Sequence, residues 1–428
     1  MPEKNKPNFF NTLLFILYII FLGSVVFSFR AITSITIACI PLAGLIKNKA
    51  EQQNFLNHTL ANPLFIFCCL LFLAEIFSLI YTHNQFEGWK NIWGKSVLIV
   101  VPLGLYCCNY ITSTTRKQIL KWYCIMLFAA CAFALYRAFA DFLATNDTSV
   151  FFYHRLVSLY SGHAIQFSIL VLVGLLYLFE SLRNKERALN KIFQLFLVFF
   201  FSIFLFLLSS KLVISFYIIY IFYYLIKIVR EKRRNKRAVM LLIAGFATSC
   251  ILLFSTNNVI SRRFIEIIGT DFGFLKKEKF TESNYFNGLQ FRLLQWKLVP
   301  EILNEKKAWL GGVGVGDGQA DLNEKYSSKK LYTGTPERGD TGFLGYNTHN
   351  EFLEALLQTG IVGFLLFALI CFTLIKMVLQ KKSAVLTFIT MLLLAYSFSE
   401  SVLESQYSSI IFLFFPVFFC LNGNKNLS

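Results

Sequence analysis

The chain has 428 residues, 56% of them hydrophobic, 17% aromatic and 15% charged, with a formal net charge of +17. Soluble globular chains average about 45–50% apolar and about 25% charged residues. Here the apolar residues gather in blocks of about 20, the length that crosses roughly 30 Å of hydrocarbon. A soluble enzyme, a disordered chain and a disulfide-rich secreted domain are excluded, and an all-α polytopic membrane protein is expected.

Lys4 and Lys6 precede an apolar run from Phe9 to Phe29 that is too long for a signal-peptide h-region and has no small-x-small site after it, so it reads as a retained first span. In chain order, twelve apolar blocks follow the pattern of spans: 9–29, 31–46, 63–82, 92–112, 119–140, 162–182, 192–209, 212–229, 238–256, 360–379, 383–399 and 407–421. The second is short enough to be tilted, broken or membrane-dipping. All 10 cysteines lie inside these blocks. Free cysteine behaves there as a small buried hydrophobe, so no disulfide or cysteine-based metal site is expected.

Lys and Arg collect in alternate connections, which assigns those to the cytoplasm. The clusters are Lys4/Lys6, Lys47/Lys49, Arg116/Lys117/Lys121, Arg183 to Lys191, Lys227 to Arg237, Lys376/Lys381/Lys382 and Lys425. Both termini are then cytoplasmic and the protein sits in the cytoplasmic (inner) membrane. The basic run Arg230–Arg237 is accounted for as a topology anchor, and no nucleic-acid partner is expected. The same alternation divides the chain into spans one to nine (1–256), one long extracytoplasmic loop with short helices (257–350) and spans ten to twelve (351–428). The loop carries 13 Lys/Arg and 11 Asp/Glu and is the only extended polar stretch.

Candidate chemistry collects in and around this loop. The run Gly311-Gly312-Val313-Gly314-Val315-Gly316-Asp317-Gly318 lacks the Lys-Ser/Thr of a phosphate-binding loop and has no βαβ context. It reads as a tight turn packing close to the bundle, with an anion-binding nest as the alternative. Thr348 followed by Glu351 fits a capping box, so a helix is expected from His349 onward. An imidazole in that first turn is kept neutral by the helix dipole and is able to take a proton from an attacking hydroxyl. A hydrogen-bonded interfacial histidine is the alternative. Lys211, at the Ser209-Ser210-Lys211 corner, and Arg292 are cations near the outer face, as are Arg137, His154, Arg155 and His163. Together they suit an anionic lipid-linked substrate, or else contact headgroups singly. Glu75 and Lys95 are placed to pair with each other. Asp317 and Asp321 are the weak candidates for a metal, but no Asp-x-Asp or His/Cys cluster demands one.

Taken in order, Ser209-Ser210-Lys211, Arg292-x-x-x-Trp296, Gly312-x-Gly314-x-Gly316, Thr348-His349-Asn350-x-x-Leu353 and Gly360-x-x-Gly363 resemble the O-antigen ligase / O-antigen polymerase superfamily, the Wzy_C-type membrane glycosyltransferases. The likeness spans residues 162–380, roughly, and departs from the family's usual Ser-Arg at Lys211, which supplies charge but no bidentate fork. The resemblance implies a GT-C-like fold of about 12 transmembrane helices. It also implies inverting, metal-independent transfer of a glycan from an undecaprenyl-diphosphate carrier to a hydroxyl of lipid A-core or a similar glycan acceptor, without a cofactor. His349 would be the base, Arg292 and Lys211 the diphosphate clamp, and Arg155 and His163 further ligands of the same anion. A polymerase of the same superfamily, a transporter of lipid-linked sugars and a scaffold without catalysis are the alternatives.

Overall fold

Hydrocarbon offers no hydrogen-bond partners to a backbone, so each apolar block must satisfy its own N–H and C=O groups, and helices result. The computed structural model describes residues 9–51, 55–107, 110–160, 163–184, 189–231, 261–262, 265, 270–335, 337 and 339–421. The helices are Phe9–Val26 (α1), Arg30–Ala50 (α2), Phe55–Leu60 (α3), Pro63–Ser78 (α4), Gln85–Lys95 (α5), Val97–Tyr106 (α6), Ser113–Thr145 (α7) and Tyr153–Leu156 (α8). They continue with Ala164–Arg183 (α9), Lys191–Leu207 (α10), Lys211–Glu231 (α11), Gly288–Lys306 (α12), Gly318–Ser328 (α13), Glu351–Lys381 (α14), Ala384–Ser397 (α15) and Gln406–Cys420 (α16).

The protein is an all-α, multi-pass membrane protein, but the expected span count needs correction. Among the described residues, 6 helices are long and apolar enough to cross a membrane: α1, α2, α7, α9, α11 and α14. Four further apolar helices, α4, α10, α15 and α16, have only 14 to 17 residues. At 1.5 Å per residue they fall short of a full crossing. The block at 92–112 is broken at Ser96 into α5 and α6. The second block, by contrast, forms a helix of 21 residues. The block at 238–256 lies outside the described residues. Short helices are tolerated because their outer ends run into a polar layer of protein. The end of α4, for example, is met by the glycine run, with Val315 N donating to Ser78 Oγ at 3.1 Å.

Two hydrophobic cores result. The larger lies between the membrane helices, around Tyr18, Phe21, Tyr123, Phe167, Phe412 and Phe415. The smaller is built by the loop segment, with Phe274, Phe286, Phe291, Leu294 and Leu298 packing on Leu356 and Leu357 of α14. The eight described cysteines are free.

The glycine run is the seam between loop and bundle. Gly312 (φ 73°) lies so close to α14 that a Cβ would stand 2.4 Å from the Gln358 carbonyl carbon. Gly360 (φ 67°) faces Leu310 equally closely and interrupts α14 with non-helical backbone. Across this seam Val313 N donates to Leu357 O at 2.8 Å, Gly314 N to Gln358 O at 3.0 Å and Ile361 N to Trp309 O at 2.9 Å. With Gly312 N also donated to Ala308 O and Asp317 N to Gly314 O, these contacts support the tight-packing reading of the run.

Candidate active site

The His349 segment differs from its expected form in one respect that matters. The cap of α14 is Asn350, whose side chain accepts from Phe352 N and Leu353 N. Thr348 does not cap. Its hydroxyl donates to Glu354 Oε2 at 2.7 Å, and its N–H reaches the same oxygen at 3.1 Å. His349 therefore precedes the helix, in left-handed backbone (φ 47°), with its N–H donated to Asn347 Oδ1 at 3.1 Å. A non-glycine residue there carries about 1–3 kcal/mol of strain, offset by the surrounding polar contacts. The imidazole therefore lies outside the first helical turn, and its ring meets a carboxylate.

That carboxylate is Glu400, in the turn between α15 and α16. Its Oε2 stands 2.7 Å from His349 Nδ1, and its Oε1 accepts from Arg292 Nη2 at 2.7 Å. Arg292 is fixed further by Nε donating to Ser399 O and Nη1 to Gly288 O, each at 3.0 Å. Trp296, one turn along α12, donates its indole N–H to Thr348 O at 3.1 Å. The Tyr346 ring lies 5.8 Å from the imidazole. Burial raises the Glu400 carboxyl pKa, but the hydrogen bond and charge of His349, together with Arg292, outweigh it, and the pKa lies below its ordinary value. The side chains of Arg292, His349 and Glu400 are 26%, 22% and 21% exposed, so the cluster is open on one side.

Beneath it runs a buried polar ladder. Glu354 Oε1 accepts from Gln358 Nε2 at 2.8 Å, and the same amide donates to Glu404 Oε1 at 2.9 Å. Glu404 and Glu75 each lie 2.9 Å from Lys95 Nζ, an ammonium only 2% exposed. Glu351 Oε2 accepts from Leu403 N at 2.8 Å, and Ser401 Oγ approaches Glu354 at 3.3 Å. The turn that carries Glu400 is thus pinned from below at residues 401, 403 and 404.

The other sequence candidates fall elsewhere. Lys211 is half-buried and opens α11, after two buried serines. It is not among the partners of Arg292 or His349. Arg155 pairs with Asp147 and Ser149 on an exposed turn. His163 lines a separate cavity with Arg30 and Glu404. Asp317 accepts from His83 N at 2.7 Å and Asn84 N at 2.9 Å, and Asp321 pairs with Lys306 at 3.1 Å, so both anchor the loop. Among the described residues no group of three or more His, Cys, Asp or Glu side chains is arranged to hold a metal ion. Glu400 and Glu404 were absent from the sequence candidates. Their signal is the stretch Ser399 to Ser405, five of its seven residues polar, set between two apolar blocks with a carboxylate at both turns.

The site is thus an imidazole oriented by a carboxylate that is itself held by an arginine, on the polar cap of a helical membrane bundle. A family model described as O-antigen ligase, Wzy_C, matches residues 196–368, and the chain carries that domain there. The matched stretch holds Lys211, Arg292, the glycine run and His349, while Glu400 lies beyond it. No curated protein matches the chain.

Proposed function

We propose that the protein transfers a glycan from an undecaprenyl-diphosphate carrier to an acceptor hydroxyl at the outer face of the cytoplasmic membrane, as an O-antigen ligase does. The observation that carries this reading is the His349–Glu400–Arg292 constellation. With Nδ1–H donated to Glu400, His349 presents Nε2 as the acceptor nitrogen, and the adjacent carboxylate stabilises the imidazolium that forms. Nε2 takes the proton of the acceptor hydroxyl as its oxygen bonds to the anomeric carbon. The bond from that carbon to the diphosphate oxygen breaks, and its electron pair leaves with the diphosphate. Attack opposite the departing group inverts the anomeric configuration.

Arg292 uses three of its five N–H donors on protein acceptors. The two that remain are available to the departing anion. A diphosphate leaves as a stabilised anion, so position, cations and one base suffice, and metal-independence is part of the proposal. A polymerase would share every one of these steps and differ only in its acceptor.

The test is transfer from a labelled undecaprenyl-diphosphate glycan by purified protein in lipid nanodiscs, with and without EDTA. His349→Ala should lose about 10²–10⁴-fold in rate, the usual contribution of a general base. EDTA should leave wild-type transfer unchanged. Retained transfer in the variant removes the base assignment, and loss with EDTA removes the metal-free one.

A further inference from the structure

On the other side of the Glu400–Glu404 turn lies a cavity of about 280 Å³, lined among others by Ser28, Arg30, His163, Gln166, Glu404 and Tyr407. It is bounded by the α1–α2 turn, the start of α9 and the start of α16. We infer that it is a saccharide subsite, gripping a sugar ring of one of the two substrates through its hydroxyls. The inference takes from the glycan-transfer reading only the origin of that sugar.

Four observations on these residues support it. First, the exposed residues Arg30 and His163 line the cavity, and among the described residues neither has an ion-pair partner. Second, Ser28 Oγ is buried without a hydrogen-bond partner of good geometry, and its backbone is held in the left-handed region (φ 57°). The Tyr407 hydroxyl on the same wall lies within its reach, and the strained backbone fixes this pair of hydroxyl groups at the cavity.

Third, the polar lining mixes donors and acceptors. Glu404 keeps its carboxylate at the wall because Lys95 and Gln358 hold it, while Gln166 is fixed by its amide donating to Ser408 Oγ at 2.6 Å. A phosphate here would face the Glu404 carboxylate. A pyranose offers hydroxyls that both donate and accept, and its apolar face suits Tyr407, whose hydroxyl is tied to Val25 O at 2.8 Å.

Fourth, the site is close to the chemistry and outside the matched domain. Glu400 and Glu404 are four residues apart, a chain reach of at most about 14 Å. Every lining residue lies outside 196–368, whereas His349 and Arg292 lie within it. The matched domain thus supplies the base and the arginine, and the remainder of this chain shapes the pocket that selects a sugar.

Binding to full-length protein in nanodiscs tests the site, read by saturation-transfer NMR with free glucose, N-acetylglucosamine, galacturonic acid and, separately, inorganic pyrophosphate. At least one sugar should bind, with Arg30→Ala weakening it tenfold or more. Ser28→Gly relieves the strained backbone and so spares the fold, and it should weaken binding several-fold. His349→Ala should bind the sugar as wild type does, which separates this site from the base. Sugar binding that ignores both Arg30→Ala and Ser28→Gly overturns the inference. Arg30-dependent binding of pyrophosphate without any sugar also overturns it, in favour of an anion site. In the transfer assay, Arg30→Ala should raise KM for one substrate alone, donor or acceptor, which identifies the source of the sugar; unchanged KM values for both refute the subsite. Failure of wild-type protein to transfer, with sugar binding intact, would defeat the glycosyltransferase reading and leave the subsite standing.

Discussion

Replacing Glu400 by Gln changes one atom in shape and tests the whole arrangement of the site. Both partners of the carboxylate are donors, Nδ1–H of His349 and Nη2–H of Arg292, each at 2.7 Å. A carboxylate accepts from both, but an amide has one accepting oxygen and one donating nitrogen. If the amide oxygen serves Arg292, its NH2 donates to Nδ1 and selects the tautomer with the proton on Nε2, which cannot take a proton from an acceptor hydroxyl. If the oxygen serves His349, NH2 meets guanidinium donor to donor. A hydrogen bond to a charged group contributes about 1.5–3 kcal/mol. Losing one such contact outright and the charge of the second raises the barrier by about 3–5 kcal/mol, or roughly 10²–10⁴-fold in rate at 1.36 kcal/mol per decade. The analogous Asp-to-Asn change in a serine-protease triad costs about 10⁴-fold. Single-turnover transfer should place the loss in kcat, with KM changed only a few-fold and thermal unfolding in detergent close to wild type. Glu400→Asp, which keeps the charge, should recover part of the rate. A folded Glu400→Gln protein with more than a third of wild-type turnover would refute the reasoning.

Three further outcomes follow from the same geometry. Lys95→Met removes the only cation contacting Glu75 and Glu404 among the described residues and should destabilise the protein by about 3–5 kcal/mol, read as a lowered Tm, and Lys95→Met with Glu75→Leu should regain part of it. Gly312→Ala adds a Cβ 2.4 Å from the Gln358 carbonyl carbon in left-handed backbone and should abolish stable expression, whereas Gly94→Ala, with nothing within 4 Å, should express and melt at or slightly above wild type. The folded-state pKa of Glu400 is lowered from 4.5, so its contribution to stability is fully present above that value and is lost as pH falls through the lowered one. Tm should therefore drop more steeply between pH 5 and pH 3 in wild type than in Glu400→Gln, and parallel curves would contradict the assigned ionisation.

Membrane class and the segregation of polarity were legible in the sequence because both are properties of composition along the chain. Span lengths were not. Ser96 and Gly360 end or break helices for reasons that lie elsewhere: Gly360 must let Leu310 approach, and nothing in its own block announces that neighbour. The α14 cap shows the same limit on a smaller scale. Thr348 and Asn350 are both competent caps, and Glu351 and Glu354 both suit a first turn. The contact of Thr348 with Glu354 and Ser401 decides between them. His349 and Arg292 stood out by residue type in a polar loop, and the Glu75–Lys95 pairing by ionisable residues at membrane depth. Glu400, 51 residues beyond His349, sat in what reads as an ordinary connector between two spans.

The buried ladder explains why such a connector can hold the Glu400 carboxylate in place. A site must keep its groups within about 0.5 Å of productive geometry, and a loop does this only when packing and further hydrogen bonds lock it. Here Ser401, Leu403 and Glu404 are each tied to α14 or to Lys95. Lys95 in turn joins α5 to α4 through Glu75. An ion pair at this depth adds little net stability over a well-packed apolar substitute. Its presence is better understood as specifying one position for the 399–405 turn. Because Glu404 faces the Arg30 cavity as well as Lys95, the same fixture that holds Glu400 against His349 also forms a wall of the proposed sugar pocket. A substrate that presses on that wall would act on a segment whose other end orients His349, the proposed base. Arg30→Ala, by this logic, should leave the chemical step intact at saturating substrate, whereas a change at Glu404 should alter binding and turnover together.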